Sequence, residues 1–278
     1  MSSIAETFRR LQANGEKAFI PFLTAGDPSI EITEQLILEL DRIGADIIEI
    51  GIPYSDPLAD GPTIQEAALR ALNAGVRMPH VLEMVRRLRP QVKASLVLFT
   101  YANPVFQWGV ERFFETAREI GADGVIIPDL PLEESQEALA AAARNGVDLV
   151  PLVAPTSQQR ISKLCAQGQG FIYCVAALGV TGVRETVNED LPQIVANVKQ
   201  HTDLPVAVGF GVGSPEQAEI IGRYADGVIV GSALVKRVAP IADALAAGDL
   251  ELLEAKKREL VEFAASLKAP LRQSRAGV

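Results

Sequence analysis

Apolar positions along the chain follow two alternating rhythms. Short, nearly continuous Val/Ile runs alternate with longer stretches in which apolar residues return every three or four positions. The first pattern fits strands covered on both faces and the second fits amphipathic helices. Ser3 to Ala13 predicts a first helix, with Ile4, Phe8 and Leu11 on one side. Strands are predicted at Ala18–Thr24, at Ile47–Ile50 after Asp46, and at Ser95–Thr100, Gly124–Pro128, Asp148–Val153, Phe171–Val175, Pro205–Val208 and Gly227–Val230. Helices are predicted between them at Ser29–Ile43, Thr63–Asn73, Met78–Leu88, Val110–Ile120, Leu132–Arg144, Ser157–Gln167, Asp190–Gln200 and Ser214–Gly222. A last helical region runs from Gly231-Ser232 to about Lys268, before Pro270.

Eight strands, each followed by helix, predict a parallel sheet, and eight such units in this length match a closed (β/α)8 TIM barrel. The reading includes an extra N-terminal helix and extra helices in the βα loops. A weak repeat supports it: Gly44-Ala45-Asp46, Gly121-Ala122-Asp123 and Tyr224-Ala225-Asp226 each end a helix and begin a strand. No Ser/Pro-rich linker divides the chain, so residues 1–278 are expected to form a single barrel domain. The competing architecture is an open doubly wound sheet. Against it, no G-x-G-x-x-G opens the first βα turn.

In such a barrel the chemistry gathers at the C-terminal ends of the strands. There, one strand breaks the apolar pattern. Glu49 lies among Ile47, Ile48 and Ile50, and a dense turn region follows with Gly51, Pro53, Pro57, Gly61 and Pro62. Alternation places Glu49 on the face of Ile47, opposite Ile48 and Ile50. An ionised carboxylate there is costly unless paired or solvated, and that cost is tolerated where a carboxyl does proton chemistry. Asp60, in the same loop, is the second candidate. The plainer alternatives are a salt-bridged strand-end Glu and a turn Asp before Gly.

A second constellation comes late. Gly182, Gly209-Phe210-Gly211 and Gly231-Ser232 follow the last three predicted strands. Backbone amides exposed by glycines, at helix N-termini, are suited to a phosphate. Phe22, Tyr101, Tyr173 and Phe210 could line an aromatic pocket at the same mouth, and Thr181 and Asp129 fall on the same face. Each of these has a simpler reading as core, turn or cap.

Composition narrows the partners. The 278 residues are 48% hydrophobic and 22% charged, with net charge −9 and no basic block. Nucleic acid and anionic membrane are therefore poor partners, and an anionic ligand needs local amide donors. No apolar run approaches about 18 residues. The amphipathic, charged N-terminus and two cysteines, Cys165 and Cys174, lead us to expect reduced thiols in a cytoplasmic protein. His80 and His201 lack metal-ligand spacing, so no metal site is expected.

The stretch E-I-G-I-P-Y-S-D-P-L-A-D-G-P-T-I-Q, Glu49 to Gln65, resembles the signature of the tryptophan synthase alpha chain family. P-F-L-T-A-G-D-P (Pro21–Pro28), Y-A-N-P-V-F (Tyr101–Phe106), G-V-T-G (Gly179–Gly182), G-F-G-V (Gly209–Val212) and V-G-S-A (Val230–Ala233) match as well, in order, over nearly the whole chain. The resemblance implies a lyase of L-tryptophan biosynthesis, one that splits indole-3-glycerol phosphate by retro-aldol cleavage into indole and glyceraldehyde 3-phosphate. It implies Glu49 and Asp60 as the catalytic pair. It implies that Gly182, Gly211, Gly231 and Ser232 hold the phosphate, that Phe22, Tyr101, Tyr173 and Phe210 enclose the indole, and that Thr181 sits in a closing loop. It also implies a beta-chain partner in an alpha2beta2 heterotetramer, met by the Tyr54–Pro57 loop with Asp56 and Pro57, and by the Tyr101–Phe106 loop with Asn103. This chain is expected to need no cofactor, with pyridoxal phosphate only in the beta chain. A stand-alone lyase with the same residues and a non-catalytic barrel that binds a phosphorylated ligand are the alternatives.

Overall fold

The computed structural model describes residues 3–154, 160–175, 190–209 and 211–272. The chain opens with α1 (Ser3–Asn14), β1 (Ala18–Thr24), α2 (Ile30–Arg42) and β2 (Ile47–Gly51). Helices α3 (Pro62–Asn73) and α4 (Met78–Leu88) precede β3 (Ser95–Phe99), and α5 (Ala102–Trp108) and α6 (Val110–Glu119) precede β4 (Gly124–Ile126). Then come α7 (Gln136–Asn145), β5 (Asp148–Leu149), β6 (Leu152–Val153), α8 (Ile161–Ala166), β7 (Ile172–Val175) and α9 (Leu191–Lys199). The described chain ends with β8 (Val206–Gly209), α10 (Pro215–Gly222), β9 (Gly227–Val230), α11 (Ser232–Ala247) and α12 (Leu250–Lys268).

All pairings are parallel, in the order β5-β4-β3-β2-β1-β9-β8-β7-β6. The two ends of that order are the same stretch of chain. β5 and β6 are halves of the strand expected at Asp148–Val153, so the nine segments fill eight strand positions and the sheet is a barrel. The interruption falls at Val150-Pro151, because Pro151 has no N–H to donate. Val150 N–H still bonds Val125 O at 2.9 Å on one side, and Tyr173 N–H bonds Pro151 O at 3.0 Å on the other.

Alternation sorts the side chains into two shells. Ile20, Ile47, Val97, Ile126, Val150, Phe171 and Ile229 pack inside the barrel. Ile48, Ile50, Leu96, Leu98, Val125 and Val228 pack outward against the helices. Ile4, Phe8 and Leu11 of α1 join the inner group, so the extra helix plugs the end of the barrel opposite the expected site.

The weak sequence repeat proves to be a clamp. The N–H of Asp46 donates to Phe19 O at 3.1 Å while its Oδ2 accepts from Phe19 N–H at 2.9 Å. Asp123 does the same to Leu96, and Asp226 to Val206. Each carboxylate thus ties the start of its strand to the start of a neighbouring one. At Asp46 the clamp is completed by Lys268, at the end of α12, with Nζ–Oδ2 at 2.6 Å and exposures of 4% and 5%. Removing one partner of a buried pair leaves the other undercompensated, here Asp46 with only the exposed Arg10 at 3.2 Å from its Oδ1 and the Phe19 N–H. Lys268→Met is therefore expected to cost about 3 kcal/mol of unfolding free energy, read from the urea midpoint. Adding Asp46→Asn is expected to recover part of it, and a fully additive double variant would count against the clamp.

Three boundaries differ from the pattern-based expectation. The segment expected as the Tyr101–Phe106 loop instead forms the N-cap and first part of α5, since proline is tolerated in the first turn of a helix. The Leu132–Arg144 helix is broken at Ser135, whose hydroxyl donates to Leu132 O. The final helical region turns at left-handed Gly248, and Asp249 caps α12 by accepting from Leu252 N–H.

Candidate active site

Glu49 points into the barrel. In register it lies beside Phe22 on β1 and Val97 on β3, both inward-facing, and it is 1% exposed. Its Oε1 has no hydrogen-bond partner among the described residues. Burial without a compensating charge pushes its carboxyl up to about 8.

Asp60 reaches the same mouth from the loop after β2. A turn closed by Asp60 N–H to Pro57 O leads into Gly61, and Pro62 then starts α3 with its ring pre-set for a first helical position. Asp60 is 8% exposed, and the Tyr101 hydroxyl donates to its Oδ2 at 2.8 Å. Burial pushes its carboxyl up to about 6, and the Tyr101 bond holds it back from rising further. Two carboxyls therefore face one mouth in environments that separate their proton affinities. That separation is how one site holds an acid and a carboxylate at the same pH.

The aromatic wall forms around them. Phe22 is buried, and its ring occupies the space that a side chain at Gly51 would take: a Cβ there would lie 2.5 Å from Phe22 Cζ. Phe22 meets Phe99 edge-on at 5.6 Å, and Phe99 meets Tyr101 edge-on at 6.5 Å. Tyr173 lies across the barrel on β7. Its hydroxyl rests over Gly209, where a Cβ would come within 2.6 Å. Burial raises the Tyr173 phenol well above its usual range, and the nearby charges of Glu49 and Asp60 add to this. Tyr173 thus stays protonated and shares the mouth with both acids.

At the other side, Gly231 immediately precedes α11, and Ser232 is its buried first residue. The first amides of a helix lack intrahelical acceptors, so they are available to an anion. A Cβ at Gly231 would meet Phe22 and Ile64 at 3.7 Å, so this helix end adjoins the aromatic wall. Gly211 adopts φ +55°, a left-handed conformation that glycine takes without strain. Thr181, Gly182 and Phe210 lie outside the described residues.

Asp56 and Asn103 are exposed on the rim, and Pro57 is half-buried. Sequence reading missed Leu58 and Phe106, which are 82% and 49% exposed on the same two segments. The signal was an apolar residue inside dense turn chemistry, and it is weak. Asp129 takes a structural part. Its Oδ1 accepts from Ala102 N–H at 2.8 Å and so holds the first turn of α5 from the neighbouring strand. Cys174 faces the outer core, where burial pushes its thiol up to about 12. His80 accepts from Arg77 N–H at the start of α4.

Comparison with known proteins bears on the family and the fold. The sequence model described as tryptophan synthase alpha chain matches residues 8–266. The tryptophan synthase alpha chain of Geobacillus kaustophilus is 52% identical over 257 residues, covering 92% of this chain and 95% of that one. That of Geobacillus thermodenitrificans is 50% identical over 268 residues, covering 95% and 98%. Among solved structures, Mycobacterium tuberculosis tryptophan synthase superposes with a TM-score of 0.86 at 37% identity, covering 98% of each chain. The tryptophan synthase alpha subunit of Legionella pneumophila gives 0.84 at 35% identity, covering 98% and 99%. With its barrel, its inward Glu49 and its signature loop, the chain belongs to the tryptophan synthase alpha chain family.

Proposed function

We propose that Glu49 and Asp60 carry, in this chain, the alpha reaction of tryptophan synthase: retro-aldol cleavage of indole-3-glycerol phosphate to indole and glyceraldehyde 3-phosphate. The observation that carries the reading is a buried carboxyl at Glu49, whose Oε1 has no hydrogen-bond partner among the described residues, facing the same mouth as a second, hydrogen-bonded one at Asp60. Protonated Glu49 delivers its proton to indole C3, and positive charge spreads over the ring to N1. Asp60, as carboxylate, accepts the indole N–H and stabilises that charge. Glu49, now a carboxylate, takes the proton of the side-chain hydroxyl. As the C=O forms, the electrons of the C–C bond return to the ring, and indole leaves as a neutral molecule.

Phe22, Tyr101, Tyr173 and Phe210 enclose the ring, and the amides and hydroxyl of Gly182, Gly211, Gly231 and Ser232 hold the phosphate. Thr181 is assigned, by the family resemblance, to substrate binding. The whole chain works as one barrel domain. The family implies a beta-chain partner. We assign this chain to an alpha2beta2 assembly in which the beta chain alone carries pyridoxal phosphate and consumes the indole. Asp56, Pro57 and Asn103, flanked by exposed Leu58 and Phe106, form the partner face, since apolar side chains at a pocket mouth favour a covered surface. Among the described residues no helix is long and apolar enough to cross a membrane, and both cysteines are free, in keeping with a cytoplasmic enzyme.

The test is indole release by the purified chain, with and without beta chain, across pH. Asp60 must be ionised and Glu49 protonated. The value of kcat/KM is therefore expected to rise through pH about 6 and fall through about 8. A flat profile from pH 5 to 9 would contradict these roles. A large rate unchanged by beta chain would favour a stand-alone lyase, and ligand binding without product would favour a non-catalytic barrel.

A further inference from the structure

The loop that carries Asp60 has little regular structure of its own. Between Tyr54 and Gly61 its internal backbone bonds are Leu58 N–H to Asp56 O and Asp60 N–H to Pro57 O, and from outside the loop Gln65 Nε2 donates to Asp60 O at 2.8 Å, which fixes the backbone but not the carboxyl. Such a loop does not by itself hold a carboxylate to the tolerance that proton transfer requires. Yet Tyr101, which donates to Asp60, is held on two sides. Phe99 meets its ring edge-on at 6.5 Å, and the Tyr54 ring lies against it at 5.3 Å with a 31° interplanar angle. Tyr54 is tied down in turn, because Asn103 Nδ2 donates to its hydroxyl at 3.0 Å. That bond spans 49 positions in sequence and joins the loop bearing Asp60 to the first turn of α5, which Tyr101 caps. The contacts close a ring: loop to Tyr54, Tyr54 to Asn103 and Tyr101, and Tyr101 back to Asp60 in the loop.

We propose that Tyr54 is a positioning residue for the cleavage reaction: its ring backs Tyr101 and its hydroxyl is latched by Asn103, so that Tyr101 keeps its hydrogen bond to Asp60. The resemblance places Tyr54 only in a partner-facing loop and gives its phenol no part in catalysis. The inference rests on the reading of Asp60 as the acceptor of the indole N–H. The described titratable groups around Asp60 are Tyr101, which bonds it, and Tyr173 and Glu49 at the same mouth, while Asp129 acts on Tyr101 from the end of β4. Tyr54 shares the loop with Asp60, but its side chain meets Asp60 through Tyr101, so the effect of the phenol should vanish when the Tyr101 hydroxyl is removed.

The experiment measures kcat, KM and the pH profile of indole release for Tyr54→Phe, Tyr54→Ala, Asn103→Ala and Tyr101→Phe. It uses the full chain, alone and with saturating beta chain. Tyr54→Ala is expected to lower kcat roughly tenfold and raise the acid limb by about half a pH unit, with KM within about twofold. Tyr54→Phe and Asn103→Ala are expected to lower kcat by about threefold each, and by no more when combined. In a Tyr101→Phe background, Tyr54→Phe is expected to add nothing. An unmoved acid limb and kcat in Tyr54→Ala would overturn the proposal, as would a full further loss on top of Tyr101→Phe. Should Tyr54→Ala unfold, the two single-bond variants decide the matter, because a merely structural role lowers the thermal midpoint and leaves the limb in place. Failure of the underlying reading is separate: it would show as an Asp60→Asn variant with full activity.

Discussion

Glu49→Gln is expected to lose about a thousandfold in kcat and at the same time to make the chain more stable. The first effect follows because an amide can neither deliver the proton to indole C3 nor take one from the hydroxyl. The second follows from linkage. Folding raises the Glu49 carboxyl from 4.5 to about 8, so between those values the folded state binds more protons than the unfolded chain. Stability attributable to this group is therefore complete below about 4.5 and falls as pH rises through the window to about 8. Glutamine keeps the shape and carries no such penalty. At pH 7 the gain is on the order of 3 kcal/mol, less whatever an unsatisfied buried amide costs. Urea unfolding at pH 5, 7 and 9 checks it: the native midpoint should fall across the series and the variant's should fall less. Parallel slopes for the two proteins would mean that Glu49 is not the buried acid described here.

Asp60→Asn is the second large effect, a loss of about 10²- to 10³-fold in kcat. The amide oxygen can still accept from Tyr101, so the loop geometry should persist. What disappears is the negative charge facing the ring as it becomes cationic. Because substrate grip rests mainly on the phosphate end, KM should move far less than kcat. The acid limb near pH 6 should vanish with the titrating group while the limb near 8 remains. Tyr101→Phe offers the complementary reading. Without the donated hydrogen bond, burial acts on Asp60 unopposed, and the acid limb should move up. An Asp60→Asn enzyme that retained both limbs would place the acid limb elsewhere.

Much of this site was legible in the chain. Period-two alternation decides that Glu49 shares a face with Ile47, but both faces of this strand are apolar, so which of them looks into the barrel came only from the structure. The three helix-to-strand aspartates were visible as a repeat. Their common task, clamping both backbone groups of one residue on a neighbouring strand, was not visible, because it depends on register. The break at Pro151 was written in the sequence as a proline in a strand. That the two halves serve opposite ends of the sheet order emerged only once the sheet had closed.

Local sequence by itself determined most of the element types, the face that Glu49 shares with Ile47 and the glycine-lined end of α11, because backbone sterics and side-chain periodicity act over a few residues. Tertiary structure alone decided which distant groups meet. Tyr101 donates to Asp60 across 41 positions, Asn103 to Tyr54 across 49, and Lys268 to Asp46 across 222. Those pairings are fixed by barrel closure and loop path. The proton affinities of the two carboxyls follow from them, because burial and a single hydrogen bond outweigh anything the neighbouring residues in sequence impose.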